Sequence, residues 1–189
     1  MPDVISGTES ENLLKSYFHT QGILLCNENR ELPSLVSVGG DWNGIVSLME
    51  QGEVFYSKFY KNRVTYLSRA FYAQIKPYKQ RLEKVSPAAK RIFGFLCEAG
   101  HADTAEIKNA LKLSGRSFSE SMDELFRELL ITVIERSRTL NANWCSFDWG
   151  TYETWEQIHP VSDIIPEKGC LFALASSFLT ENQIKNLLK

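Results

Sequence analysis

Cysteine is scarce in this 189-residue chain: Cys26, Cys97, Cys145 and Cys170 stand far apart and form no CxxC pair. That spacing excludes a disulfide-built scaffold and leaves reduced cysteines packed as small hydrophobes as the expectation. Histidine is scarcer still. His19, His101 and His159 lie at no ligand spacing from a cysteine or carboxylate pair, so no metal site and no cofactor is expected. No apolar run reaches the roughly 20 residues of a membrane-spanning helix. The first ten residues, MPDVISGTES, are polar and acidic, unlike a secretory signal or a transit peptide, so a soluble cytoplasmic protein without a membrane partner is expected. A large excess of either charge is also missing: the formal net charge is −2, which argues against a protein that coats nucleic acid indiscriminately. G-x-G-x-x-G, the P-loop, G-x-S-x-G and H-E-x-x-H are all absent. No serine or cysteine has a credible base beside it in sequence. Catalytic residues therefore stay unassigned, and whether the chain is an enzyme stays open.

What is present is an ordinary globular balance, 43% hydrophobic, 23% charged and 12% aromatic, enough for one sizeable core or two small packed units. The best-punctuated stretch is 86–148. Ser86 and Pro87 open a helix carrying Ile92, Phe93, Leu96 and Cys97 at helical spacing, and Gly100 stops it. Asp103 with Glu106 makes a capping box for a second, short helix faced by Ile107, Ala110 and Leu111, broken at Gly115. Ser117 with Glu120 reads as another box, ahead of a third helix with the stripe Phe118, Met122, Leu125, Phe126 and Leu129. Ile131–Ile134 and Trp144–Phe147 read as strands around a turn at 139–143. Three helices followed by a β-hairpin is the order of a winged helix-turn-helix. The fold class expected is therefore α+β, mainly helical with small β content, with additional N- and C-terminal helices around the winged helix. The division expected is 1–85, a helical region with a basic, tyrosine-rich segment; 86–148, the winged helix; and 149–189, helices packing on the core.

The flanks carry their own signals. Residues 1–7 read as a frayed tail, Thr8 with Glu11 as a capping box, Asp41 as the cap of a helix closed by Gly52, and Ser68 as another cap. Lys61-Asn62 reads as a turn before a strand at Val64–Leu67. After Gly150 a short helix with Tyr152, Trp155 and Ile158 ends at Pro160. Ile164–Pro166 reads as extended, Pro166 or Glu167 as the start of an apolar helix through Leu179, and Thr180 with Gln183 as the cap of a last helix. These C-terminal helices most simply pack back on the core; a homodimer contact is the alternative.

Charge is locally polarised. Between Val54 and Lys84 the chain carries Lys58, Lys61, Arg63, Arg69, Lys76, Lys79, Arg81 and Lys84 against Glu83 alone, interleaved with five of its seven tyrosines. Ser117–Leu130, by contrast, holds Glu120, Asp123, Glu124 and Glu128 against Arg127. Two nucleic-acid surfaces follow. One is that of a winged helix: Arg116, Ser117 and Ser119 at the start of the third helix, with Arg136 and Arg138 in the wing. The acidity of that helix speaks for a protein-packing role instead. The other is the basic segment, with Lys58, Lys61, Arg63 and Arg69 as the candidates, its cations on the backbone and its aromatics stacked on bases. Its opposing reading places Phe55, Phe59, Tyr66 and Phe71 in the core beneath a solvated lysine face.

The run LPSL…DW…SLMEQGEVFYSKFYKNRVTYLSRAFYAQIKP, followed by the helix-turn-helix and wing, resembles proteins related to the winged-helix alkylpurine DNA glycosylases. The likeness covers roughly residues 32–158 and is nearest to short bacterial relatives with a YxKFxxxRxxxxSRxxY segment. Here that segment is Tyr56, Lys58, Phe59, Arg63, Ser68, Arg69 and Tyr72. The resemblance implies a DNA-associated protein of DNA-repair descent. The glycosylases of that family carry a Gln-x-Gln or Gln-x-Asp motif that positions water at the sugar; this sequence has none, Gln51-Gly52-Glu53 being the nearest string. What the likeness implies is a nucleic-acid-binding relative that lost or changed the chemistry. Two alternatives stand beside it. One is a glycosylase with Asp41, Gln51 or Glu53 orienting water; the other is an interaction or dimerisation module docking through the acidic helix.

Overall fold

The computed structural model describes residues 7–141, 144–161, 175 and 178–189. The expected tail at 1–7 lies outside them except for Gly7, which begins the first helix; the extended segment at 164–166 and most of the apolar helix before Leu179 also lie outside. Helix α1 (Gly7–Thr20) and helix α2 (Trp42–Glu50) pack together at the N-terminal end. Asp41 caps α2 as expected, its carboxylate accepting from Gly44 N at 2.7 Å. The capping box expected at Thr8 and Glu11 needs Thr8 to stand just outside the helix. Thr8 lies inside α1, and the Glu11 carboxylate is taken up by Lys15, Ser47 and Gln51, tying α1 to α2. Gly44 permits that approach: a Cβ there would stand 2.4 Å from Ser10 Oγ.

Between α1 and α2 runs strand β1 (Ile23–Leu25), and after α2 come β2 (Val54–Tyr60) and β3 (Arg63–Ser68). They form an antiparallel sheet in the order β1-β3-β2. The turn at Lys61-Asn62 joins β2 to β3 with both residues at positive φ, 48° and 58°, the geometry that matches strand twist in a two-residue hairpin. Strand β2 had no sequence signal because its aromatics fall on both faces, so the alternation that marks a half-buried strand is missing. Ser68 then caps α3 (Arg69–Ile75).

The winged helix follows in the expected order, with one addition. Helix α4 (Pro87–Ala99), strand β4 (His101–Asp103), helices α5 (Thr104–Leu111) and α6 (Gly115–Arg127), and the wing strands β5 (Ile131–Asn141) and β6 (Trp144–Thr151) form it. Ser86 caps α4, and the Asp103–Glu106 box closes on α5. Helix α6 starts earlier than expected: Ser114, not Ser117, is its cap, accepting from Ser117 N at 3.2 Å. Strand β4 adds an edge to the wing, giving the sheet order β4-β6-β5. The wing strands run well past the expected apolar cores, and β5 carries three register irregularities. Cys97, expected on the apolar face of α4, is exposed.

The two sheets are joined side by side. Tyr56 on β2 offers its backbone N–H and C=O to the outer edge, and the buried Thr132 hydroxyl on β5 satisfies both at 3.0 Å. Beneath them Phe55, Tyr72 and Trp155, the last on α7 (Tyr152–Ile158), pack with ring centroids 4.1–5.3 Å apart. Leu179 and Ile184, the latter on the terminal helix α8 (Glu181–Leu187), are buried in that same cluster, so this end of the chain folds back on the core. Among the described residues no helix is long and apolar enough to cross a membrane.

Candidate nucleic-acid interface

The basic stretch and the acidic helix meet each other. Lys58 on β2 pairs with Asp123 of α6, and Asn62 at the hairpin tip donates to the other oxygen of that carboxylate at 3.1 Å. Arg81 grips Glu128, just past α6, with two hydrogen bonds of 2.9 and 3.2 Å, and Lys79 stands 3.8 Å from the same carboxylate. Glu124 accepts from Ser86 N at 2.6 Å. Of the acids that made α6 look unlike a recognition helix, Asp123 and Glu128 are thus spent on packing against the N-terminal half and Glu124 on the start of α4, while Glu120 stays on the exposed face. Lys61 pairs with Glu31 at 2.6 Å and Lys76 with Glu156 at 2.9 Å. Five of the eight cations between 54 and 84 therefore have carboxylate partners.

The aromatics of the segment are core. Phe55, Phe59, Tyr60, Tyr66, Phe71 and Tyr72 are all buried, which overturns the reading of this run as a stacking platform; Tyr78 alone is well exposed. Burial drives the Tyr72 hydroxyl far above the usual phenol value, and its hydrogen bond to Glu156 at 2.6 Å pushes the same way.

Three of the eight expected contact residues come together. Lys58, Lys61 and Arg63 surround the β2–β3 turn, Arg63 exposed and in no ion pair within 4 Å among the described residues. Beside this tip a cleft of 380 Å³ is lined by Lys61, Asn62, Lys79, Lys84, Arg127 and Lys189 with Glu124 and Glu128. Arg69 lies at the far end of β3, its guanidinium turned onto the Pro160 carbonyl and its Nε buried without a partner among the described residues. Arg116 is exposed and paired with Glu120 at 2.9 Å, and Ser117 is half-buried in the first turn of α6. Arg136 binds Glu50 on α2 at 3.1 Å, and Arg138 stands 3.8 Å from Asp103. The sequence reasoning missed Lys79, Lys84, Arg127 and Lys189 as partners of the hairpin. The first two lay in the same basic run, but the last two come from distant segments that only folding brings in.

A second cleft, of 690 Å³, opens between α1, α2 and α3, with His19, Glu53, Ser68 and Arg69 in its wall. His159 stands beside it. Its pKa is lowered by burial and then by Arg69, with Glu53 opposing. Of the two other residues singled out as water-orienting candidates, Asp41 is engaged as the α2 cap and Gln51 is bound to Glu11 and Ser47.

The one group of potential metal-ligating residues among those described is His101, Glu135 and Asp148, brought together by β4, β5 and β6. Comparison with known proteins adds a family. No curated protein sequence and no solved structure matches the chain significantly. A family model described as "AlkZ related" matches residues 37–181, which takes in β2 and β3 of the first sheet, the whole winged helix with its sheet, and α7. The chain belongs to the AlkZ-related family.

Proposed function

We propose that this protein binds DNA through the basic rim at the tip of the β2–β3 hairpin and the cleft beside it, not through the first turn of α6. The family, whose relatives include the alkylpurine DNA glycosylases that the sequence resembles, supports a nucleic-acid role. The observation that carries the choice of surface is the cleft's charge: five cations, Lys61, Lys79, Lys84, Arg127 and Lys189, face two carboxylates. Arg63 and Lys58 adjoin it across Asn62. Cations in such a groove hold phosphates by releasing counterions, so binding falls with salt at about −0.9 in log K per log salt for each duplex phosphate neutralised. The wing and the first turn of α6 have less to offer, because Arg136 is committed to Glu50 and Arg116 to Glu120.

Fluorescence polarisation with labelled duplex and single-stranded DNA across a salt series tests this. Lys61→Glu with Arg63→Glu should weaken binding about tenfold or more and flatten the salt slope by about 2. Arg136→Glu with Arg138→Glu should do much less. Equal losses in both double variants would place the interface on the wing; no binding to either DNA at low salt would remove the proposal.

A second reading, hydrolytic excision of a base, is favoured by one observation: Glu53 stands in the wall of the larger cleft with Arg69. There the Glu53 carboxylate would accept a proton as water attacks the sugar carbon and the bond to the base breaks, the base departing with the electron pair. Release of free base from alkylated DNA by the wild-type chain, abolished in Glu53→Gln, would support it; no release by the wild-type chain would end it.

A further inference from the structure

We infer that the base of the wing is a binding site for a first-row divalent transition-metal ion, held by His101, Glu135 and Asp148. One residue comes from each strand of the sheet. Register puts them together: Asp148 on β6 pairs directly with Glu135 on β5, while His101 on β4 pairs with Gly150, two residues along β6 on the same face. The pairing with Glu135 depends on a β-bulge. Val133 pairs with Trp149, so a regular ladder would set Ile134 opposite Asp148; the irregularity between Val133 and Glu135 shifts the carboxylate into that place instead. Gly150 leaves room for the displaced Ile134, since a Cβ there would stand 2.4 Å from Ile134 Cγ1. A local distortion of the ladder is thus accommodated by a glycine, and its result is a third ligand.

The donor geometry fits a metal. His101 Nδ1 lies 2.9 Å from Asp148 Oδ2 and 3.8 Å from Glu135 Oε1. One donor atom of each of the three lies within 4.8 Å of the others. Neighbouring donors around an ion with bonds of about 2.0–2.1 Å stand about 2.9–3.4 Å apart in octahedral or tetrahedral sites, so small side-chain adjustments close the set. A second, independent observation is the other oxygen of Asp148. Oδ1 is buried and accepts no hydrogen bond from the described residues, although the interior rarely leaves a carboxylate oxygen unpaired. A cation bound at this carboxylate would supply the missing charge. Imidazole plus two carboxylates, with open positions left on the exposed side of Glu135, suits zinc, cobalt or manganese rather than a calcium ion that wants six or more oxygens. The bound ion would clip the short edge strand β4 to both wing strands.

The test uses the full chain stripped with a chelator and dialysed free of it. Cobalt(II) is titrated while its visible d–d absorption is followed, and zinc binding is measured by calorimetry. One ion per chain is expected, with a rise in the thermal midpoint. Glu135→Gln and His101→Ala should each weaken affinity at least about tenfold, while His19→Ala should leave it unchanged. Circular dichroism checks that each variant is folded; Glu135 is exposed, so its variant keeps the measurement meaningful if His101→Ala unfolds. Substoichiometric binding, or binding equally strong in Glu135→Gln, overturns the inference and leaves the cluster as an imidazole held against two carboxylates. The readout is independent of DNA binding, so failure of either proposal does not disguise failure of the other.

Discussion

Glu128 is where the packing of this protein and its proposed interface make opposite demands. Its carboxylate is 16% exposed, takes Arg81 in a two-bond fork and stands 3.8 Å from Lys79, which is itself only 9% exposed. Glu128→Gln keeps the shape and removes the charge. Leaving a fully buried partner unpaired costs about 3–5 kcal/mol. Arg81 here keeps some contact with water and a second acceptor, the Lys189 carbonyl at 2.6 Å. The expected loss of stability is therefore about 2 kcal/mol. Lys79 adds to the loss: burial already holds its pKa below the ordinary lysine value, and Glu128 is the nearest charge opposing that shift.

The same substitution removes one of the two carboxylates from the basic cleft and frees two cations. If each freed cation takes up one phosphate, the salt slope steepens by about 0.9 per contact and affinity at low salt rises several-fold. The assays are urea unfolding and DNA polarisation in the same buffer, at a temperature where both proteins are folded. A lower unfolding midpoint with tighter DNA binding is the expected pair of results. Lower stability with unchanged affinity and slope would show that nucleic acid does not occupy the cleft. Unchanged stability would show that the Arg81–Glu128 fork contributes nothing to the fold.

Three further outcomes follow from the packing. Thr132→Val preserves volume but strips both hydrogen bonds from the Tyr56 backbone, leaving a buried N–H and C=O unpaired; it should cost about 2–4 kcal/mol by chemical denaturation, whereas a loss below 1 kcal/mol would deny the hydroxyl its role in joining the sheets. Gly52→Ala forces a residue at φ +70° to carry a Cβ 2.1 Å from the His159 ring, so it should cost more than about 1 kcal/mol and disturb the turn from α2 into β2. The Glu11 carboxyl is pushed down from 4.5 to about 2, first by Lys15 and then by Gln51 and Ser47. A depressed carboxyl stabilises the folded state above its unfolded value, so the advantage of wild type over Glu11→Gln should be full above about pH 4.5 and vanish as pH falls towards 2.

Much of the fold was legible because the chain punctuates its helices. Ser86-Pro87, Asp103 with Glu106, Asp41, Ser68 and Thr180 with Gln183 all cap where local chemistry said they should. Where the motif letters misled, a nearer partner had won: Ser114 reaches Ser117 N before any box at Ser117 can form, and Glu11 is claimed by Lys15, by Ser47 on α2 and by Gln51 just past it. Strand β2 was hidden by burial on both faces. Strand β4 was hidden by brevity, three residues between a helix stop and a helix cap, and with it went the only element that could have placed His101 beside residues 34 and 47 positions away. The site was less legible than the fold because charge counts do not reveal pairing.

Pairing decides which charges are left for the proposed interface. A run of eight cations beside a run of acids looks, in one dimension, like a binding surface next to an obstacle to binding. In three dimensions each set is the other's counterion: Asp123 and Glu128 dock α6 against the hairpin and the linker that precedes α4. Desolvated pairs of this kind contribute little to net stability, but they fix which faces meet, because any other docking would leave the same charges unpaired. The positive charge proposed to meet phosphate is therefore a remainder, set by Arg63, Lys84 and Arg127, which form no ion pair within 4 Å among the described residues, together with Lys61 and Lys189 at the rim. It lies where the N-terminal sheet, α6 and the C-terminus converge. A phosphate backbone bound there would contact both halves of the chain at once, and the winged helix would serve it as a scaffold for the hairpin rather than as the reader of a groove.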